Sequence, residues 1–166
     1  MLAILAPVPA EILSDAFDVK NLEARIAFGA GWVEWGSSGA DAFEFFQKPA
    51  ITASAGSLSV LIYGSRRSDY PTKPHKLYHP GFVIAHAVYE GRIEAKNGKH
   101  PQPNRRPKCT LAGDTPCALF WKVSLLKAFS SEDRIPIGKL DQNGAPRGPR
   151  LISVPEDLIA VLKRVS

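Results

Sequence analysis

Cysteine is scarce. Only Cys109 and Cys117 occur in 166 residues. Two thiols make no disulfide framework, and their spacing, with no second pair, does not fit a zinc ribbon. That usage points to a reducing compartment. Long apolar runs are missing too. Nothing approaches the roughly 20 apolar residues of a membrane-spanning helix. The opening MLAILAPVPAEIL lacks a basic flank, so no signal peptide is expected. We therefore expect a cytoplasmic chain with no membrane partner. No Ser-His-Asp order, glycine-rich phosphate loop or His-Glu zinc helix is present, so neither cofactor nor metal is expected. His75 and His79, four apart, have no clear third ligand.

Acidic residues are few where basic ones are dense. Residues 63–108 hold 10 Lys/Arg against 3 Asp/Glu, while residues 1–62 hold 3 against 7. The whole chain carries only +5, so the middle segment exceeds the net charge of the molecule. Positive charge clustered in this way suits a polyanion; the competing reading is a solvated loop surface.

The hydrophobic pattern predicts one α+β domain over residues 1–166. Residues 1–8 read as a buried strand ended by Pro7 and Pro9, and PAEILSDAF as a short helix with proline near its start. Residues 18–30 are ambiguous between a turn of helix and a strand over Arg25–Phe28. ADAFEFFQK reads as a helix stopped by Pro49. GSLSVLIYGSRR and PGFVIAHAVYE read as paired central strands. Asn97–Gly98 is a hairpin-turn signal, and Pro101, Pro103 and Pro107 predict an exposed, mobile loop beyond it. PCALFWKVSLLKAF reads as a strand with Phe120, Val123 and Leu125 inward and Trp121 on the opposite side. LISV is a short last strand. PEDLIAVLKRV follows as a helix with acids in its first turn and bases in its last.

The order of these pieces resembles the PUA-like superfamily, in particular its EVE and YTH branches. AGSLSVLIYGSRR is similar to that family's strand ending in Tyr-His-Ser, with Tyr63, Gly64 and Ser65 in those places. GFVIAHAVYE resembles the next strand, and Arg150, Leu151, Ser153 and Val154 resemble the C-terminal Arg-Leu-Ser-Val strand. Trp35-Gly36-Ser37 is similar to the family's step of tryptophan and a small residue. Ser57 stands where an acidic residue is usual and Gly64 where a histidine is common. The resemblance implies a PUA-like curled β-sheet, a pseudo-barrel of five to six strands flanked by two or three helices. It also implies a non-catalytic domain that reads a modified base in nucleic acid: methylated or hydroxymethylated cytosine, or N6-methyladenine.

A base pocket needs flat apolar walls, a few polar groups for the base edge, and cations outside for phosphates. Trp32 and Trp35, in a Gly/Ser-rich stretch with Gly36 and Ser37, are the candidate walls; the alternative is that they fill the core. Tyr63, Gly64 and Ser65 are the candidate edge. Arg66, Arg67 and Lys73, with Arg105, Arg106 and Lys108 on the later loop, are the candidate phosphate contacts. Stacking on an aromatic ring is worth about 1–3 kcal/mol and flipping a base costs a few kcal/mol. Phosphate contacts are then left to supply affinity. We expect nucleic acid as the partner, DNA ahead of RNA. Two other classes stay open. Asp69, Glu94 and Lys96 resemble the Asp…Glu-x-Lys pattern of metal-dependent nucleases. Trp121 reads as either core or interface; if exposed, it and the proline-rich loop would suit a protein partner.

Overall fold

A computed structural model describes residues 1–18, 25–32, 37–65, 76–108 and 116–165, the side chains at 32 and 37–40 excepted. Eight strands occur among them: β1 Leu2–Pro9, β2 Ile26–Trp32, β3 Leu58–Ser65, β4 Phe82–Val83, β5 Ala85–Glu94, β6 Cys117–Ala128, β7 Ile135–Pro136 and β8 Arg150–Ser153. The helices are α1 Ala10–Phe17, α2 Ser37–Gln47, α3 Pro49–Ala53 and α4 Glu156–Val165. Six strands form one sheet in the order β2-β6-β5-β3-β1-β8; β4 and β7 pair separately. Within the large sheet β1 and β3 run parallel, and every other pair is antiparallel.

The expected pseudo-barrel is not formed. The sheet is open, with β2 and β8 as its edges and no ladder joining them, and four α-helices rather than two or three surround it. Two local features account for the open edge. β8 covers only Leu2–Leu5 of β1, because it begins at Arg150 and the preceding Pro149 has no N–H with which to extend the ladder. The rest of β1 carries Pro7 and Pro9, which have no N–H to give a further strand.

Both faces of the sheet are covered, which explains the near-continuous apolar runs. On one face Ile4, Ala6, Val8, Val60, Ile62, Ala85, Ala87, Tyr89, Leu119, Trp121 and Val123 pack with Leu13 of α1, Phe45 and Phe46 of α2, and Ile51 of α3. On the other, Ala3, Leu5, Leu61 and Tyr63 pack with Leu158 and Leu162 of α4 and with Ile135 and Ile137. A third, smaller cluster holds Ala27, Cys117 and Phe120, with Ile93 and Ala95 against it.

Local chemistry explains several element ends. Pro49, expected only to stop a helix, also opens α3, since the first helical position needs no N–H. In α4 Glu156 and Asp157 occupy the first turn and Lys163 and Arg164 the last, as the helix dipole favours. Arg164 also pairs with Asp133, and Arg150 with Asp141. No helix among the described residues is long and apolar enough to cross a membrane.

Candidate nucleic-acid interface

Residues 95–108 carry five Lys/Arg and no Asp/Glu. Beyond its Asn97–Gly98 hairpin this arm was expected to be an exposed, mobile loop. Instead it is tied to the sheet at several points. Asn97 and Gly98 both have positive φ, 51° and 75°, which is the two-residue hairpin turn their sequence encodes. Lys96 and Lys99 exchange backbone hydrogen bonds of 2.9 and 3.0 Å across it. Ala95 N–H donates to Ala118 O at 3.1 Å, and Cys117 N–H to Gly98 O at 2.9 Å, so the hairpin is joined to β6. Pro103–Arg105 then forms a single 3-10 turn.

Side chains complete the docking. His100 is only 5% exposed. Its ring meets the edge of Phe120 at 4.8 Å between centroids, and its Nδ1 accepts the Gln102 N–H at 2.7 Å. The Arg106 guanidinium lies 4.9 Å over the Phe120 ring, a cation–π contact. Pro107 is buried. Lys96, Lys99, Arg105 and Lys108 remain exposed. The acid just before the arm, Glu94, is 84% exposed and faces Arg92 at 3.9 Å. The arm therefore presents cations from a backbone already held in place, so a polyanion would meet them at a reduced ordering cost.

Beside the arm lies a cleft of about 60 Å³, lined by Pro7 and Pro9 of β1, Phe28 and Gly29 of β2, Trp121 of β6, and Pro107, among others. It occupies the gap where the proline end of β1 approaches β2 without pairing. Phe28 and Trp121 form its aromatic wall, their centroids 4.8 Å apart. Small-molecule pockets usually measure roughly 300–1,000 Å³. The cleft therefore takes a few waters, or the edge of one ring, rather than a whole base. Pro9 lies opposite Ser65, so the described end of β3 lies beside this cleft.

The residues singled out from sequence are distributed differently. Trp35, Gly36, Arg66, Arg67, Asp69 and Lys73 lie outside the described residues. Trp32 ends β2 opposite Cys117, and Ser37 opens α2. Tyr63 lies on β3 opposite Pro7 of β1.

Tyr63 itself is 6% exposed, in the α4-side core, and its hydroxyl donates to Pro146 O. Burial pushes its phenol pKa well above the ordinary value, with Arg150 opposing slightly. Gly64 is pressed against the Leu77 carbonyl, where a Cβ would overlap the oxygen. This is a close backbone approach that only glycine allows. Ser65 is half-buried.

Of the nuclease pattern, Glu94 and Lys96 both sit at the exposed end of β5. Among the described residues no three His, Cys, Asp or Glu are grouped to hold a metal ion. Trp121, read as either core or interface and placed opposite the inward positions of its strand, belongs to the core: it is 4% exposed and stacks on Phe46 at 4.9 Å. His86, also buried, approaches Ser59 Oγ at 3.4 Å through Nε2, and its Nδ1 has no partner. Burial, with Lys127 adding to it, lowers its pKa.

The sequence reading missed Phe28 and His100. The signal for His100 was its place between a hairpin turn and a proline run, on a segment with no hydrophobic period. No protein-family model and no curated protein matches the chain.

Proposed function

We propose that this protein binds nucleic acid, DNA ahead of RNA, through the arm 95–108, with an exposed base meeting the Phe28–Trp121 cleft. The observation that carries the reading is the acid-free arm, docked by His100, Arg106 and Pro107, with four cations left exposed. A solvated charged loop has no need of that docking. The cleft limits what base recognition contributes. Its size suits a methyl group or ring edge, and one buried methyl-sized group is worth about 0.8 kcal/mol. Discrimination of a methylated base from a plain one is therefore about fourfold, and phosphate contacts supply the rest of the affinity.

Fluorescence anisotropy tests this reading. The probes are duplex and single-stranded DNA and RNA, either plain or carrying 5-methylcytosine, 5-hydroxymethylcytosine or N6-methyladenine, at 50 and 200 mM salt. Salt-sensitive binding with a severalfold preference for one modified probe is expected. Failure to bind every probe at low salt ends the proposal.

A further inference from the structure

We propose that His100 is an acid-sensitive latch, holding the cationic arm on the sheet only while its ring is neutral. Its relevance to binding rests on the function proposed above. The geometry of the ring carries the argument. Nδ1 accepts the Gln102 amide hydrogen, and an acceptor nitrogen must keep its lone pair. The ring proton then sits on Nε2, which is buried and has no partner. A second proton, on Nδ1, would break the Gln102 bond and leave a charged ring with almost no solvent.

Among the described residues, the charges that act on the ring are all cations. Arg105 and Arg106 act on the ring from the arm itself, and Lys122 from β6. The neighbouring apolar cluster contributes Phe120 and Cys117 from β6, Ala27 from β2, and Ile93 and Ala95 from β5. Glu94 on β5 is turned to solvent and to Arg92. Burial first, then these cations, hold the imidazole below its ordinary pKa of about 6.5.

The sign follows from linkage. The docked state disfavours the proton that the released arm takes up near pH 6.5. Docking is therefore at full strength above that pH. It weakens as pH falls, by at most about tenfold per unit, until the docked pKa is reached. The released arm gains the His100 charge but loses its fixed backbone, and the cost of reordering the arm outweighs one added exposed charge, so binding weakens on acidification.

Amide exchange, corrected for intrinsic rates, reads the latch without any nucleic acid. Between pH 7.5 and 5, protection at Lys96, Lys99, Gln102 and Cys117 is expected to fall together. The β1 and β3 amides are expected to follow only the global stability, changing equally in the wild type and in the His100 variants. In His100→Phe and in His100→Gln, the pH dependence at the arm is expected to vanish. Arm protection that is flat with pH in the wild type, or that falls equally in both variants, overturns the latch. Anisotropy with a plain duplex at fixed salt is the second readout. Binding that tightens on acidification while the arm opens would overturn the link from docking to affinity. Arm opening with no binding at any pH would leave the latch standing and refute the proposed function.

Discussion

Replacing Lys96 and Lys99 together with alanine tests whether the arm contacts phosphates. Both side chains are exposed at the hairpin, and their backbone hydrogen bonds do not depend on the side chains. The fold is therefore expected to keep its stability to within about 0.5 kcal/mol. Each phosphate neutralised on duplex DNA contributes about 0.9 to the slope of log affinity against log salt. Four exposed arm cations, Lys96, Lys99, Arg105 and Lys108, supply a slope of about 3.6. On that slope, raising salt from 50 to 200 mM costs about 150-fold in affinity. With two cations removed, the arm's slope is about 1.8 and its loss about 12-fold. Contacts made elsewhere add equally to both proteins, so the difference of about 1.8 in slope is the quantity to measure. Anisotropy over four salt concentrations gives it directly. A double variant with the wild-type slope, or an affinity loss that persists undiminished at high salt, refutes the reasoning.

Three other outcomes follow from the packing. Trp121→Ala removes a ring that stacks on Phe46 and touches Phe28, so urea unfolding is expected to show a loss of about 3–5 kcal/mol; a loss below about 1 kcal/mol would mean the indole is not in the core. Tyr63→Phe leaves the Pro146 carbonyl without its phenol donor and is expected to cost about 1 kcal/mol while leaving oligonucleotide affinity unchanged; weakened binding would return Tyr63 to the ligand site. His86, neutral in the fold because burial and then Lys127 lower its pKa, is expected to withdraw stability as pH falls below about 6.5, by at most about 1.4 kcal/mol per unit, since the unfolded chain takes up the proton first. Urea midpoints at pH 7.5, 6.5 and 5.5 check this against His86→Leu, in which that part of the slope is expected to disappear.

Much of the element order was legible because local chemistry and tertiary packing agree. The apolar runs became β1, β3, β5 and β6, the proline-led segment became α1, and the acid-to-base ordering became α4. Residues 18–30, ambiguous from sequence, include β2 from Ile26. Strand β6 shows where the pattern misled. Leu119, Phe120 and Trp121 are three consecutive apolar residues, and a half-buried strand would put one of them in water. All three are buried, because helices cover one face and the arm covers Phe120 on the other. Leu125, expected inward, is 56% exposed. Between its pairings with Val88 and His86, β6 runs from Ser124 to Lys127, one residue more than β5 spends, and Leu125 takes a φ of 52° there. This bulge reverses which later residues face the core, and nothing in LLK announces it.

The site was less legible because it depends on which surfaces the chain folds back upon. Charge segregation pointed to residues 63–108, and it could be read by counting. That the later part of this segment is docked depends on a histidine and an arginine meeting one phenylalanine ring, a contact with no periodic signature. The cleft has a similar origin. Pro7 and Pro9 were expected to end the first strand, and both lie within β1. What they end is the possibility of another strand pairing there, since neither has an N–H to offer. β2 therefore approaches that end of β1 without a ladder, and the gap is walled by Phe28 and Trp121 and closed on one side by Pro107. One pair of prolines thus accounts both for the open sheet and for the concavity beside the basic arm, which is why the pseudo-barrel expectation and the position of the expected pocket went wrong together.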